Sequence, residues 1–527
     1  MRREQGGHRG PPLRRTVGST LCTDTSMSEP AVRVSTVLPE WLHRRAELSP
    51  GRLALVSGDI RWTFAELDER ADDTARRLDA AGVIAGDRVA TLLPNGDVPV
   101  VVLHALARLG AVHVPLNLRL TAAELAWQVE HCGASWLIHQ PGVAQQARDA
   151  TAGRPGTVLL PLGPTERGTP EQTMPAPTVA VPLQRLVDLA ALQSIVYTSG
   201  TTGRPKGALL TFGNHWWNAL GSALNLGLHA DDRLLASLPL FHVGGMAILW
   251  RSVIYGCTAV VQERFDPAAM NSAIDAEGIT IVSVVAAMLQ RMLDERGHHP
   301  YPPWLRCVLL GGGPAPRPLL EACAARSIPV VQTYGLTETG SQAVTLAPED
   351  ALRKLGSAGK PLFHLELRID VAGQDAPPGE PGEILLRGPS VSPGYFGGEV
   401  ERRASDGWLH TGDLGWLDAE GYLYVADRRD DLIISGGENV YPAEVEAVLL
   451  VHPAVAEAGV TGRPDDRWGQ VPIAVVVLRA GTEASEHDLL DFCGERLARY
   501  KVPVGVQFQK ELPRTASGKL QRRLLRG

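Results

Sequence analysis

The 527-residue sequence has little of several things, and each shortage excludes a class of protein. No stretch reaches the roughly 20 unbroken apolar residues that a membrane-spanning helix needs, so no membrane span is predicted. The six cysteines include no C-x-x-C pair, which argues against a disulfide framework or a zinc ribbon and predicts reduced thiols in a cytoplasmic protein. A net charge of -7 gives no reason to expect nucleic acid or an anionic membrane as a partner. Small metabolites fit this composition better.

Lysine is also scarce, because only six of the 51 basic residues are lysines and the others are arginines. Genome composition produces such a bias at most surface positions. The lysines that persist include sites where a compact ammonium cannot be replaced by a planar guanidinium. Lys206 and Lys519 both stand among glycines and hydroxyl side chains, so we expect a chemical role for each.

The length exceeds what a single hydrophobic core usually supports, so two or more domains are expected. Residues 1–26 are basic and rich in Gly, Pro and Arg, which predicts a disordered extension, and they lack the apolar centre of a secretory signal. An amphipathic helix is predicted around residues 37–46. We therefore hypothesise that translation begins at Met27, which mass spectrometry of the native N-terminus can test.

From Arg52 onward, short apolar runs alternate with amphipathic stretches, the pattern of an α/β fold. Beyond about residue 362 the pattern changes to short strands and turns, and the tail carries predicted helices at 443–450 and 489–498 around an apolar strand at 473–478. The sequence thus predicts a large N-terminal domain, residues 27–429, of two α/β subdomains plus a small β-rich subdomain. A small, mobile α+β C-terminal domain is predicted for residues 430–527.

Residues 197–207 read YTSGTTGRPKG and follow a short apolar run. Glycines let a backbone approach an anion with its N–H groups turned inward, hydroxyl side chains add donors, and a lysine supplies a point charge. The spacing differs from a Walker loop, since Arg204 and Pro205 separate Gly203 from the lysine. The candidate phosphate ligands are Thr198, Ser199, Gly200, Thr201, Thr202, Gly203 and Lys206.

Six sequence blocks, in order, resemble the adenylate-forming superfamily of acyl- and aryl-CoA ligases, luciferases and peptide-synthetase adenylation domains. They are YTSGTTGRPKG at residue 197, PLFH at 239, YGLTETGS at 334, DGWLHTGD at 406, DRRDDLIISGGENVYPAEVE at 427 and PRTASGK at 513. The resemblance covers roughly residue 39 to the C-terminus. It implies an AMP-forming acid–thiol ligase that uses ATP, Mg²⁺ and coenzyme A.

The resemblance also implies roles for single residues. Tyr334 would contact adenine, Thr337 would donate to phosphate and Glu338 would hold Mg²⁺. Asp413 and Arg428 would bind the ribose hydroxyls. The remaining nucleotide-binding candidates in the strand-end turns are Gly312, Gly313 and Gly335.

Both reactants of adenylate formation are anions, so catalysis should be mostly positioning and neutralisation of charge. The resemblance implies that Lys519 bridges the acyl and phosphate oxygens, with Thr198, His242 and Glu338 as further catalytic residues. It also implies a rotation of the C-terminal domain about Asp430 between the two half-reactions. Gly436 and Gly437 would then face the tunnel for the pantetheine arm of CoA.

Four further segments border the acyl pocket in this superfamily: FGNHWWNALGSALNLGL at residue 212, LPLFHVGGMAILWRSVIYG at 238, SVVAAMLQRML at 283 and LLGGGPAPRPLLE at 309. They resemble those of superfamily members that activate 2-succinylbenzoate, an aromatic dicarboxylate of menaquinone synthesis. A second carboxylate needs a cationic or donor-rich pocket wall. Arg251 is the main candidate, and His242, His215, Trp216 and Ser283 are further ones. An aryl- or medium-chain acyl-CoA ligase would share every nucleotide block, so this function stays open as the alternative. A homo-oligomer is also possible from the sequence.

Two other classes are disfavoured. The acyl segment lacks an obvious acidic partner for the α-amine that a peptide-synthetase domain would bind, and the sequence ends eight residues after Lys519 without a carrier domain. A non-enzymatic adenylate sensor would be expected to have lost Lys519 or Glu338, and both are present.

Overall fold

The computed structural model describes residues 36–163, 182–198, 205–313, 315–398, 406–428, 431–435, 438–465, 468–497, 499–515 and 519–525. Residues 37–527 form one compact unit, so the predicted division at residues 429 and 430 stays a prediction. The disorder predicted for residues 1–26 and the proposed start at Met27 lie outside the described residues.

The secondary structure elements are numbered in chain order. The strands are β1 Val37–Pro39, β2 Leu53–Ser57, β3 Ile60–Thr63, β4 Arg88–Leu92, β5 Val112–Pro115, β6 Trp136–His139, β7 Val158–Pro161, β8 Leu186–Asp188, β9 Leu192–Thr198, β10 Lys206–Thr211, β11 Arg233–Ala236, β12 Thr258–Val261, β13 Ile281–Val284, β14 Cys307–Leu310, β15 Val330–Tyr334, β16 Val344–Thr345, β17 Lys360–Pro361, β18 Glu366–Val371, β19 Gln374–Asp375, β20 Gly382–Arg387, β21 Leu409–Leu417, β22 Leu423–Arg428, β23 Ile433–Ser435, β24 Glu438–Val440, β25 Val455–Asp465, β26 Gly469–Leu478 and β27 Val506–Phe508. The helices are α1 Trp41–Leu48, α2 Phe64–Ala81, α3 Asp97–Leu109, α4 Ala122–Cys132, α5 Ala144–Thr151, α6 Phe212–Leu226, α7 Val243–Tyr255, α8 Pro267–Ala276, α9 Ala286–Arg296, α10 Arg317–Ala325, α11 Pro442–Val451 and α12 Glu486–Gly494.

Two large sheets carry the first part of the chain. One has six strands in the order β10-β9-β5-β4-β6-β7, and all are parallel except β10, which returns beside β9. The other has nine strands in the order β17-β16-β15-β14-β13-β11-β12-β2-β3, of which the six from β15 to β2 are parallel. Buried side chains from both sheets and the helices between them form a continuous core, which includes Trp41, Leu103, Val196, Trp250 and Ala259. This is the predicted pair of α/β subdomains, and the α/β fold class is confirmed.

Two smaller sheets follow. Strands β18 to β22 form a five-stranded antiparallel sheet, which corresponds to the predicted β-rich subdomain. Strands β23 to β27 form a separate sheet that packs with α11 and α12, as an α+β domain does. No described helix is long and apolar enough to cross a membrane.

The first predicted helix begins later than expected. Val37–Pro39 is a strand that pairs with Leu186–Asp188, and the helix runs over Trp41–Leu48. The carboxylate of Glu40 accepts hydrogen bonds from the backbone N–H groups of residues 42 and 43, so it caps the helix. A side-chain cap at this position fixes the start of the helix at Trp41, four residues after the expected start at residue 37.

Candidate active site

Two glycine turns lie at the carboxyl ends of the parallel strands β14 and β15, where ligands of open α/β sheets bind. Gly312 has a φ of +85°, and a Cβ there would lie 3.0 Å from Cγ1 of Val285. A Cβ on Gly335 would lie 1.7 Å from the carbonyl oxygen of Ser341. Gly313 has no neighbouring atom within 4 Å of its missing Cβ. Both turns therefore present backbone atoms to the space in front of the strands.

Tyr334, the last residue of β15, is held by a carboxylate. Its hydroxyl donates a hydrogen bond of 2.7 Å to Oδ2 of Asp413 on β21. Asp413 is buried, and its backbone N–H donates to Oγ1 of Thr411 at 3.1 Å. In the sheet, the backbone of Asp413 pairs with that of Arg428 on β22. The ring expected to contact adenine and the carboxylate expected to bind ribose thus lie side by side.

Glu338, Tyr395 and Lys206 form a chain of contacts next to these turns. Glu338 lies in the short 3-10 helix Thr337–Thr339 and is only 8% exposed. The hydroxyl of Tyr395 donates to Oε1 of Glu338, and Nζ of Lys206 lies 5.9 Å from the centre of the Tyr395 ring. The carboxylate expected to hold Mg²⁺ and the ammonium expected to bind phosphate therefore contact the same tyrosine.

The segment that carries the other predicted phosphate ligands has both ends at this site. Thr198, which ends β9, pairs with Lys206, which begins β10, and Oγ1 of Thr198 donates to the Lys206 carbonyl at 3.4 Å. The predicted ligands between them lie outside the described residues: Ser199, Gly200, Thr201, Thr202 and Gly203.

Lys519 approaches the glycine turn after β14. Its Cε lies 3.8 Å from the position that a Cβ on Gly312 would occupy. Its backbone N–H donates to Oγ1 of Thr515 at 3.0 Å, and its carbonyl accepts from the Thr515 N–H at 2.7 Å. The C-terminal segment therefore delivers an ammonium group to the end of the parallel sheet.

His242 is the residue directly before helix α7. Burial lowers the pKa of His242 to about 4, and the positive charges of Lys519 and Arg119 act in the same direction. Its Nε2 atom is buried and has no hydrogen-bond partner in the described part of the chain. The imidazole is therefore neutral at pH 7, and the two cations near it suit a place where anionic reactants meet.

The residues present fit one Mg²⁺ ion bound together with a polyphosphate. Among the described residues there is no group of three or more His, Cys, Asp or Glu side chains that could hold a metal by itself. Mg²⁺ usually keeps several waters and binds through one or two carboxylates and the phosphates of a substrate. Glu338, a buried carboxylate beside the contacts of Lys206, suits that mode.

A cavity lies between helices α6 and α7 and the face of the nine-stranded sheet. Arg251 of α7 and Ser283 of β13 both line it, together with apolar side chains such as Leu235, Ile248 and Leu309. Arg251 is 6% exposed, and burial lowers the pKa of this guanidinium. Its Nη2 donates to Oδ1 of Asn218 at 2.6 Å, while its Nε has no partner among the described residues. No described acidic side chain forms an ion pair with it, so this cation is available to an anionic ligand.

The other two pocket candidates point elsewhere. His215 is buried against Trp250, and its Nε2 is 3.1 Å from Oε1 of Gln193. Burial lowers the pKa of His215 to about 3, with smaller contributions from the charges of Arg251 and His113. Trp216 packs against Trp41, with ring centres 5.7 Å apart. Neither is among the described residues that line the cavity, and His242, which was also expected in the acid pocket, is not among them either.

Five predicted residues remain, of which the structure fully describes only Thr337. Thr337 is half-buried, and its carbonyl accepts from the Gly340 N–H at 3.1 Å. The side chain of Arg428 and all of Asp430, Gly436 and Gly437 lie outside the described residues.

Two residues in this arrangement carried no motif signal, Tyr395 and Asn218. Tyr395 follows Pro393 and Gly394, which read only as a turn. Asn218 stands in the middle of helix α6, where asparagine is unfavourable unless its side chain finds partners. A buried asparagine in the middle of a helix was the available signal.

Comparisons with known proteins agree with this geometry. Residues 42–396 match the model of the AMP-binding enzyme family, and residues 444–519 match the model of the AMP-binding enzyme C-terminal domain. The chain is 53% identical to a 2-succinylbenzoate–CoA ligase of Geobacillus kaustophilus over 93% of this chain and 98% of that protein.

Two solved structures of o-succinylbenzoate CoA synthetase from Bacillus subtilis are 45% identical to this chain, and each alignment covers 93% of this chain and 98% of the other. The complex with the acyl-adenylate intermediate OSB-AMP gives a TM-score of 0.86. A double mutant bound with the product analogue OSB-NCoA gives 0.71. The conformation with Lys519 at the glycine turn is thus more similar to the adenylate complex.

Proposed function

Because the chain belongs to the AMP-binding enzyme family, we propose that it ligates 2-succinylbenzoate to coenzyme A with consumption of ATP. In the first half-reaction a carboxylate oxygen bonds to the α-phosphorus, and the bond from that phosphorus to pyrophosphate breaks. In the second, the CoA sulfur bonds to the acyl carbon, the thiol loses its proton, and AMP leaves. The product, 2-succinylbenzoyl-CoA, belongs to menaquinone biosynthesis.

The observation that carries this proposal is the 53% identity to a 2-succinylbenzoate–CoA ligase over almost the whole of both chains. The matched length of 493 residues is far greater than that of the nucleotide blocks. A ligase for a different acid would be expected to keep the nucleotide turns and to change the cavity.

For adenylate formation, we assign the neutralisation of charge to Lys519. Its Cε adjoins Gly312, and its charge acts on His242, so the ammonium lies between the nucleotide turn and the start of α7. Preorganised donors of this kind typically lower a barrier by about 3 kcal/mol or more. Mg²⁺ at Glu338 would add neutralisation of the phosphates when bound. Neutral His242 is assigned to orienting the reacting carboxylate.

For nucleotide binding, we assign adenine to Tyr334 and the ribose hydroxyls to Asp413 and Arg428. The hydrogen bond from Tyr334 to Asp413 supports this assignment, because it orients the ring and leaves the carboxylate with further acceptor sites. Lys206 and the segment 198–203 are assigned to the phosphates.

For the second half-reaction, we propose that residues 430–527 rotate as a lid about Asp430. Strand β22 ends at Arg428, and the next strand, Ile433–Ser435, already belongs to the C-terminal sheet, so a hinge between them would separate two sheets. Rotation would withdraw Lys519 and bring Gly436 and Gly437 to the pantetheine arm.

For the acid, we assign the second carboxylate to Arg251, with Ser283 as a further donor. From His242 to Arg251 there are nine residues, or about 13 Å along a helix axis. An arginine side chain leans towards the N-terminus of its helix, so it shortens this span. The remaining distance is of the order that the succinyl chain puts between the two carboxylates of 2-succinylbenzoate.

The test is a substrate panel with purified protein. We expect pyrophosphate from ATP with 2-succinylbenzoate and AMP with thioester on addition of CoA, at rates well above those with benzoate, octanoate or amino acids. Absence of AMP formation from 2-succinylbenzoate by well-folded protein would refute the proposal. A preference for octanoate or benzoate would favour the alternative aryl- or medium-chain ligase.

We further propose a cytoplasmic location. All five described cysteines are free and buried, as expected in a reducing compartment. A homo-oligomer remains a prediction, and light scattering of the full chain would test it.

A further inference from the structure

One buried side chain contacts both halves of the candidate site. Asn218, in the middle of helix α6, is 1% exposed. Its Oδ1 accepts a hydrogen bond of 2.6 Å from Nη2 of Arg251. Its Nδ2 donates to the carbonyl of Thr339 at 3.0 Å and to the carbonyl of Gln342 at 2.7 Å.

The two carbonyls belong to the turn that carries Glu338. Thr339 directly follows Glu338, and the turn rests on helix α6 at Gly340, where a Cβ would lie 3.6 Å from Cβ of Asn218. Gly340 has a φ of +69°, and Ser341 has the uncommon value of +125°, so the backbone here is shaped by its contacts. The Asn218 amide is therefore part of what fixes the position of the Glu338 turn.

Arg251 depends on the same amide. It is the cavity cation without a described acidic partner, and the hydrogen bond to Asn218 is the one that the described structure gives its side chain. Hydrogen bonds in a buried chain polarise one another, so a cation at Oδ1 strengthens the donors at Nδ2. The position of the guanidinium and the position of the Glu338 turn are thus linked through one amide.

We propose that Asn218 is a positioning residue that couples the acid site to the nucleotide site. A carboxylate bound to Arg251 fixes the guanidinium against Oδ1 of Asn218, the fixed amide holds the carbonyls of Thr339 and Gln342, and Glu338 is held for the nucleotide. The inference rests on the proposed function, because it needs Arg251 to bind the second carboxylate. Coupling between two sites is reciprocal, so ATP should tighten the diacid as much as the diacid tightens ATP.

The experiment measures binding of the non-hydrolysable α,β-methylene analogue of ATP, with Mg²⁺, by calorimetry with and without saturating 2-succinylbenzoate. For the unchanged protein we expect the diacid to tighten the analogue by about 5-fold or more, the lower range of measured couplings. Benzoate has a single carboxylate, so it cannot place one carboxylate for reaction and a second one at Arg251. It should therefore give no tightening. In Asn218→Leu the factor should fall to about 1.

A matched control exists on the same helix. Asn225 is two turns further along α6, and its Nδ2 also donates to a backbone carbonyl, that of Leu346 at 3.3 Å. It does not line the cavity. Asn225→Leu should keep the full coupling factor, so a general effect of losing an asparagine from α6 is separated from the specific one.

Asn218→Asp keeps the shape of the side chain if the leucine variant folds poorly. It removes both amide donors and offers Arg251 an internal carboxylate. We expect lost coupling and a rise in KM for 2-succinylbenzoate much greater than for benzoate. An unchanged coupling factor in either folded variant, or no tightening in the unchanged protein, overturns the inference. Failure of the unchanged protein to form 2-succinylbenzoyl-CoA would instead refute the proposed function, so the two failures are distinguishable.

Discussion

The nucleotide half of the site and the acid half are built in different ways. The nucleotide half lies at strand ends, where glycine turns such as Gly312 and Gly335 present backbone atoms and a few charged side chains converge. The acid half lies between two helices and a sheet, where a buried arginine is the main polar group. Local backbone chemistry shapes the first and packing between distant elements shapes the second. Apart from the coupling through Asn218, variants should therefore damage the two halves separately.

Lys519→Ala should show the largest effect, because the ammonium is assigned to the transition state of adenylate formation. We expect a loss of about 100- to 1,000-fold in the rate of pyrophosphate release, the usual cost of one such donor. Thioester formation from preformed 2-succinylbenzoyl-AMP should change little. Lys510→Ala, a nearby exposed lysine on the same C-terminal segment, serves as the control. Equal loss of both half-reactions would contradict the assignment.

Arg251→Gln should damage the acid half directly, and the nucleotide half only through the lost coupling to Asn218. Hydrogen bonds to charged groups contribute about 1.5–3 kcal/mol, so KM for 2-succinylbenzoate should rise by about 10- to 100-fold. KM for benzoate, and KM for ATP measured with benzoate, should stay within about 3-fold. Arg317→Gln, on an exposed helix face, is the control. Parallel rises for benzoate and 2-succinylbenzoate would show that Arg251 only supports the fold.

Tyr395→Phe should have a moderate effect on the nucleotide half. It removes the hydroxyl that donates to Glu338 and keeps the ring beside Lys206. We expect KM for ATP with Mg²⁺ to rise by about 5- to 10-fold, while KM for the acid is unchanged. Tyr422→Phe is a matched control, since that hydroxyl also donates to a carboxylate, Asp350, away from the site. The same KM for ATP in both variants would separate Tyr395 from nucleotide binding.

The smallest effect concerns pH. Burial, Lys519 and Arg119 depress the pKa of His242 to about 4, so it is neutral from pH 5.5 to 8.5 and should add no limb to the rate profile there. A limb near pH 6.5 that disappears in His242→Asn would contradict this.

The free energy of unfolding, in contrast, should depend on pH. A histidine buried as the neutral form contributes stability above its unfolded pKa near 6.5, and this is lost as pH falls towards the folded value.

That loss is measurable by denaturant unfolding between pH 7 and 4. The slope approaches about 1.4 kcal/mol per pH unit for each such histidine. His215, whose pKa burial lowers to about 3, lies outside the cavity beside Gln193 and should behave in the same way. A flat stability profile would show that these imidazoles are not buried as neutral groups.

The same contrast explains what could be read from the sequence. The glycine turns, Asp413 and Lys519 stand in local patterns whose chemistry depends on neighbours in the chain, and the α/β alternation follows from periodicity. Helix ends differ from the sequence pattern, because periodicity does not identify a capping residue. Glu40 caps α1, and α12 runs over Glu486–Gly494 with Ser485 as its N-cap. His215 and Trp216 were expected in the pocket, but the orientation of helix α6 turns them towards Gln193 and Trp41. No local sequence pattern encodes the orientation of α6 about its axis. The hydrogen bond from Tyr395 to Glu338 joins residues 57 positions apart and also leaves no local signal.

The buried cysteines have a consequence for an enzyme that makes a reactive acyl phosphate anhydride. Burial raises the pKa of Cys257 and Cys307 to about 12 and that of Cys323 and Cys493 to about 11. Burial also raises the pKa of Cys132. Thiolates are the competent nucleophiles, so at neutral pH these side chains are inert towards the mixed anhydride. The described protein therefore resists self-acylation, and the activated acid is preserved for the sulfur of the incoming carrier.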